Sequence, residues 1–122
     1  MGASEQLIAA YEEHLVLVRN LSDNTIKGYI ADLKSFADYL EVNEVTEIMD
    51  IELSHIRGWL ASLAERGIAR STIGRRIVAI RAFTYWAASQ GWLASDIGQD
   101  LAMPKPHRAL PEVLDVADAE TI

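Results

Sequence analysis

A run of arginines without a single carboxylate is the most distinctive chemical feature of this 122-residue sequence. The stretch from position 66 to position 95 has five arginines and no aspartate or glutamate, although the whole chain has a formal net charge of −7. The five are Arg66, Arg70, Arg75, Arg76 and Arg81. Charges sorted in this way create a directed electric field, whatever the total charge. The basic segment therefore favours a polyanion as partner, and nucleic acid is the leading candidate.

Two hydroxyl side chains stand beside these arginines. We predict that Ser71 is the N-cap of a helix, so that its hydroxyl and that of Thr72 lie next to free backbone N–H groups. Free backbone N–H groups at a helix start bind phosphate. Guanidinium groups also bind phosphate, or the O6/N7 edge of guanine. The predicted contacts here are Arg70, Ser71, Thr72, Arg75, Arg76 and Arg81. In the alternative interpretation, these arginines pair with the chain's own carboxylates on a solvated surface.

A second polar helix start repeats this arrangement upstream. Ser22 is placed to cap a helix, and Asn24, Thr25 and Lys27 follow it, with Lys34 two turns further along. These polar and basic side chains are further candidates for contact with nucleic acid.

No group of residues predicts a catalytic or metal centre. His14, His55 and His107 are far apart, and none has a metal-binding spacing. The chain has no cysteine, which excludes a thiolate nucleophile and a cysteine-ligated zinc site. The four tyrosines, Tyr11, Tyr29, Tyr39 and Tyr85, are nucleophile candidates in principle. Tyr11, Tyr29 and Tyr85 lie with apolar neighbours at helical spacing, which predicts packing in or at the edge of the core. We expect no catalytic residue, no metal and no cofactor in this chain.

Apolar residues recurring at spacings of three and four predict an all-α fold. Gly67 and Gly91 are suited to end two of the helices. The predicted helices span about residues 4–20, 22–41, 51–66 and 71–90, with a shorter helix over 95–101. The fourth helix is apolar nearly all round after Arg81, which predicts that this half is buried and that the earlier half protrudes.

Length and composition indicate one globular domain followed by a linker. The chain is 50% hydrophobic and 24% charged, and it has no signal-peptide pattern or membrane-spanning apolar run. We expect a cytoplasmic protein that does not contact a membrane. All three prolines lie in residues 104–111, which predicts an extended interdomain linker. The predicted organisation is a domain over 1–103, this linker, and the start of a further domain over 112–122.

Three segments, in order, resemble the N-terminal core-binding domain of tyrosine recombinases, the phage integrase family. Residues 21–36, LSDNTIKGYIADLKSF, are similar to that domain's opening motif. Residues 70–86, RSTIGRRIVAIRAFTYW, resemble its fourth-helix signature, and residues 96–106, ending in MPKP, resemble its exit. The resemblance covers about residues 5–111 and is closest to the bacterial XerC/XerD type.

This resemblance implies a SAM-like bundle of four to five helices that forms half of a clamp around a recombination site. Its second and fourth helices would face the major groove of double-stranded DNA. Carried over by position, the resemblance implies DNA-facing residues at Thr25, Lys27 and Lys34 and at Arg70, Ser71, Thr72, Arg75 and Arg76, with Arg81 at an angle close to the apolar stripe. The family's catalytic domain, which carries the nucleophilic tyrosine, would begin near Leu110, so this chain alone should not cut DNA. In the parent protein, four protomers would exchange strands without a cofactor or metal, whereas the isolated domain is expected to be monomeric.

Two other functions are consistent with the residues. A helical protein-interaction module could dock a partner on its acidic first helix. A helix-turn-helix transcriptional regulator could use residues 67–70 as its turn, although no effector domain or dimerisation helix is evident.

Overall fold

Four α-helices and one 3-10 turn form the part of the chain that the computed structural model describes, residues 3–102. They are α1 (Ala3–Leu17), α2 (Asp23–Val42), the 3-10 turn (Ile48–Asp50), α3 (Leu53–Glu65) and α4 (Arg70–Ser89). No strand occurs within these residues, and the all-α prediction is confirmed. The predicted linker, 104–111, and the predicted start of a further domain, 112–122, lie outside the described residues.

The cap that the sequence predicts for α2 is present. The Ser22 hydroxyl oxygen accepts the backbone N–H of Thr25 at 3.2 Å, which satisfies one of the free donors of the first turn. The buried positions of α2 then recur at helical spacing, as Ile26, Ile30, Leu33, Phe36 and Leu40. Local periodicity and a capping residue therefore account for this helix almost completely.

Helix α2 is the centre of the bundle, because it packs against α1, α3 and α4. Trp59 of α3 lies against Phe36 with ring centroids 5.1 Å apart, and its indole N–H donates to the Ser35 hydroxyl at 3.2 Å. On the other side of the core, Tyr11 of α1 packs edge-on against Phe83 of α4 at 5.2 Å. Aromatic contacts of this kind add to the free energy gained from burying their area.

The prediction of a short helix over residues 95–101 is wrong, because the structure has turns there. The Asp96 carboxylate accepts the backbone N–H of Gly98 at 3.2 Å and the Thr84 hydroxyl at 2.9 Å. An aspartate that bonds its own local backbone competes with helix formation. The segment is nevertheless fixed on α4, since Leu93 and Leu101 are buried.

The second half of α4 is largely buried, as predicted: Phe83, Thr84, Trp86 and Ala87 are buried, and Ala82 and Ala88 are half-buried. Tyr85 is the exception, because it is 70% exposed, and the prediction that it packs in or at the edge of the core is wrong. In the earlier half, Val78 is 44% exposed on the same side of the helix. The opposite side is buried against α2 and α3. Tyr11, by contrast, lies in the core as predicted. None of the described helices is long and apolar enough to cross a membrane.

Candidate nucleic-acid interface

A buried carboxylate organises the basic end of α4. Asp32 of α2 is only 1% exposed, and Arg75 binds it with two hydrogen bonds, from Nε to Oδ2 at 3.2 Å and from Nη2 to Oδ1 at 2.7 Å. Arg76 adds a third bond, from Nε to Oδ1 at 3.2 Å. A buried carboxylate requires such compensation, because removing an ion from water without a partner costs several kcal/mol.

Arg75 still has N–H donors for a second ligand after it has paired with Asp32. A guanidinium carries five N–H donors, and Arg75 uses two of them here. Its side chain is 54% exposed, whereas that of Arg76 is only 20% exposed. The hydrogen bonds to Asp32, followed by the charge of that carboxylate, raise the pKa of Arg75, so it stays cationic. Arg75 can therefore receive a phosphate while Asp32 holds its guanidinium in place.

The self-pairing interpretation is correct in part for Arg75 and Arg76. Two guanidinium groups share one carboxylate, so the cluster keeps a formal charge of +1. Sequence reasoning did not identify Asp32 as their partner. The available signal was a single aspartate beside the apolar stripe of α2, between Ile30 and Leu33.

The prediction that Ser71 is the N-cap of α4 is wrong. The N-cap is Ala69, with extended backbone at φ −58° and ψ 144°, and it makes no side-chain cap bond. The backbone N–H of Ile73 bonds to the Ala69 carbonyl at 3.0 Å, so the helical ladder begins before Ser71. Ser71 and Thr72 are consequently the second and third residues of the helix, with Ser71 exposed and Thr72 half-buried.

The exposed side of α4 combines cationic, apolar and aromatic side chains. At 100° per residue, its solvent-facing members lie within an arc of about 120°. They are Ser71, Arg75, Val78, Arg81 and Tyr85. Arg70 is also exposed, at the edge of this arc. The structure thus brings Arg70, Ser71, Arg75 and Arg81 to one side of one helix.

The two predicted lysines of α2 do not lie with this cluster. Around the helix axis, Lys27 and Lys34 are separated from Asp32 by about 140° and 160°. Lys34 instead lines a groove between α1 and α2 that is rimmed by carboxylates. Thr25 is exposed at the start of α2, where its hydroxyl accepts a hydrogen bond from the Ser22 hydroxyl at 2.9 Å.

Structural roles account for two of the histidines and for the buried tyrosine. His55 accepts the backbone N–H of Glu52 at 2.9 Å and so caps α3, while His14 stacks against Tyr11. Burial raises the pKa of Tyr11 to about 12, which disfavours the phenolate that a nucleophile would require. Within residues 3–102, no three His, Asp or Glu side chains are grouped as metal ligands.

Comparison with known proteins agrees with this architecture. The phage integrase, N-terminal SAM-like domain family matches residues 8–91. The chain is also similar to proteins named Tyrosine recombinase XerC. It is 40% identical to that of Mycobacterium sp. (strain KMS) over 111 residues, and 39% identical to that of Mycobacterium leprae (strain TN) over 108 residues. It is 37% identical to that of Mycobacterium tuberculosis (strain ATCC 25177 / H37Ra) over 110 residues.

These alignments cover 90%, 88% and 90% of this chain but 37%, 36% and 37% of the relatives. The chain therefore spans a little over a third of the length of the curated relatives it matches. No solved structure matches it significantly. The family match includes all of α2, α3 and α4, together with the carboxylate–arginine cluster. On the strength of that match, the chain belongs to the phage integrase, N-terminal SAM-like domain family, as the resemblance of its segments predicted.

Proposed function

We propose that this chain is the DNA-binding domain of a site-specific tyrosine recombinase of the XerC type, which holds the recombination site while strands are exchanged. Family membership and the names of the relatives support the recombinase assignment. Binding of double-stranded DNA by this domain is the further step, and it depends on the exposed side of α4.

The proposal that this domain binds DNA rests on one observation. Arg70, Arg75 and Arg81 are exposed together on α4, and no carboxylate occurs from position 66 to position 95. A phosphodiester backbone approaching this side meets three guanidinium groups, and the carboxylate beside Arg75, that of Asp32, is already neutralised by Arg75 and Arg76. The rest of the chain is strongly acidic, so binding is confined to one side of the molecule.

The other predicted contacts divide into two groups. Ser71 and Thr72 extend the α4 surface toward its first turn, and Arg76 chiefly neutralises Asp32. Thr25, Lys27 and Lys34 of α2 remain predictions; the lysines would require DNA to contact a second side of that helix.

The activity of the whole protein is assigned to a separate domain. Because the chain spans 37% of the similar XerC relatives, we place strand cleavage in a catalytic domain joined through the proline-rich residues 104–111. In this proposal the full-length protein acts in the cytoplasm, as four protomers assembled on two DNA sites, and this domain alone cleaves nothing.

Salt-dependent DNA binding tests the proposal. We expect Arg70→Gln with Arg81→Gln to weaken binding to duplex DNA. The slope of log K against log salt should fall by about 0.9 for each phosphate that the variant no longer neutralises, hence by as much as ~1.8. Fluorescence anisotropy between about 50 and 200 mM salt measures both quantities.

The matched control is Arg19→Gln with Arg57→Gln, which changes the net charge equally at exposed positions outside α4. The control should retain most of the affinity. If both double variants lose affinity equally, binding reflects only total charge and α4 is not the interface. Arg75 and Arg76 are unsuitable for this test, because their removal leaves the buried Asp32 carboxylate without partners.

A further inference from the structure

We infer that the groove between α1, α2 and the 3-10 turn is a docking site for a basic amphipathic helix of a partner protein. We call it the acidic groove. It shares no residue with the exposed side of α4, although Lys34, one of the predicted α2 contacts, lies in its lining. The inference therefore goes beyond the proposed DNA contact of α4 and does not depend on it.

The acidic groove is too large for an ion or one side chain. Its volume is about 780 Å³, whereas a water molecule in the liquid occupies about 30 Å³. The residues that line it come from α1, α2 and the stretch from Val45 to Ile51, so an occupant of this size contacts several elements at once. A groove lined by two neighbouring helices is the kind of surface that an amphipathic helix of a partner binds.

The floor of the acidic groove is apolar and includes two small residues. Ile8 and Ala9 contribute from α1, Ala37 from α2, and Val45 from the segment after α2. Ala9 is exposed and the other three are only half-buried, so apolar area on this floor is still accessible to solvent. The two alanines leave room for the backbone of another helix, and leucine-sized side chains of that helix would cover the apolar area.

The rim is strongly acidic. Five exposed carboxylates surround the floor, and among the described residues Lys34 is the one cation that lines the groove. The five are Glu5, Glu12, Asp38, Glu41 and Glu47. None of them forms a salt bridge within the described part of the chain, where the ion pairs belong to Asp32. Such a rim repels nucleic acid and complements lysines and arginines that flank an apolar stripe.

A model peptide provides the direct test. The probe is a synthetic peptide of about 18 residues, made of leucine and lysine, with leucines at i, i+3, i+4 and i+7. A peptide of the same composition in scrambled order keeps the charge but loses the apolar face. We expect the amphipathic peptide to bind and to shift NMR signals of α1, α2 and the 3-10 turn, and the scrambled peptide to bind at least ~10-fold more weakly.

Charge-matched variants separate the acidic groove from the net charge of the chain. Glu12→Lys with Asp38→Lys should lower the affinity for the amphipathic peptide by about 10-fold or more. The control, Glu13→Lys with Glu65→Lys, makes the same charge change at exposed positions outside the acidic groove and should cost less than ~3-fold.

A gain of affinity provides a second readout that does not depend on loss of folding. Lys34→Glu removes the one cation of the lining and should tighten peptide binding by about 2-fold or more. Equal losses in the two double variants, NMR shifts centred elsewhere, or self-association of the chain through this groove would each overturn the inference. DNA affinity is measured separately, so failure here leaves the proposed function standing.

Discussion

At the residue scale, the buried carboxylate of Asp32 links α2 to α4 through its ion pairs with Arg75 and Arg76. The carboxylate is buried, whereas Arg75 is half-exposed, so the two partners lose unequal amounts of hydration. Removing the carboxylate releases guanidinium groups that can reach water. Removing the guanidinium groups leaves a buried negative charge without partners, and this is the more costly change.

This asymmetry predicts unequal losses of stability. Asp32→Asn should lower the free energy of unfolding by about 1–3 kcal/mol, because the released arginines are partly hydrated. Arg75→Ala with Arg76→Ala should cost about 3–5 kcal/mol. Urea unfolding measures both values. The control is Asp38→Asn, an exposed carboxylate of the same helix, which should change stability by less than ~0.5 kcal/mol. A larger loss for Asp32→Asn than for the double variant would contradict this account.

From the burial of the Tyr11 hydroxyl we expect the free energy of unfolding to fall at alkaline pH. This hydroxyl is buried without a hydrogen-bond partner, and burial raises its pKa from 10.0 to about 12, with Tyr29 adding to the rise and Arg19 opposing it. Since the folded state favours the neutral phenol, this stabilisation is complete below pH 10 and declines as pH rises toward 12. A shift of this size corresponds to about 3 kcal/mol at most.

Tyr11→Phe should remove this pH dependence. Near neutral pH the variant should be as stable as the original chain or up to about 1 kcal/mol more stable, because an unsatisfied buried hydroxyl is lost. Unfolding free energies measured at about pH 8 and pH 11 give the comparison. The control Tyr85→Phe alters a side chain that is 70% exposed and should leave the pH profile unchanged. Identical profiles for the Tyr11 variant and the original chain would refute the assignment.

At the scale of elements, the segment after α4 is held by close packing against that helix. Gly98 is buried directly beside Thr84, whose hydroxyl bonds to Asp96 at 2.9 Å. A Cβ at position 98 would overlap the Thr84 hydroxyl and would lie 3.4 Å from its Cβ. The close approach of the segment to α4 therefore requires a glycine there.

Gly98→Ala should accordingly destabilise the domain by about 1–3 kcal/mol, which thermal unfolding will detect. Gly28→Ala is the control, because position 28 lies within α2 and a Cβ there meets no atom within 4 Å. That control should be neutral or should stabilise the chain by as much as ~1 kcal/mol, through the higher helix propensity of alanine. Equal melting temperatures for the Gly98 variant and the original chain would show that the segment is not packed as described.

At the scale of the whole molecule, charge of opposite sign is segregated onto different sides. The cations of α4 lie on one exposed surface, while the carboxylates of the acidic groove surround another formed by α1 and α2. An approaching polyanion is attracted to the first and repelled by the second, so the field orients the encounter. With DNA bound at α4 as proposed, the same separation leaves the acidic groove open to the cationic partner inferred above.

Features that depend on the local order of residues could be predicted before the fold was known. Helix α2 followed from its apolar period and from Ser22, and the basic character of α4 followed from the absence of carboxylates around its arginines. The family was recognisable because its motifs are local runs of residues. Each of these features is specified by residues within a few turns of one another, where spacing and capping chemistry act directly.

The side of each helix that contacts a neighbour, by contrast, is set by the packing of the whole domain. The bond from Arg75 to Asp32 spans 43 positions, and Tyr85 is exposed because no described element covers that side of α4. Lys34 likewise lies in the acidic groove because α1 packs beside α2 there. Helical period gives the angle of a side chain around its own axis but not the element that it faces. That choice depends on how the helices bury their apolar surfaces against one another across the whole domain.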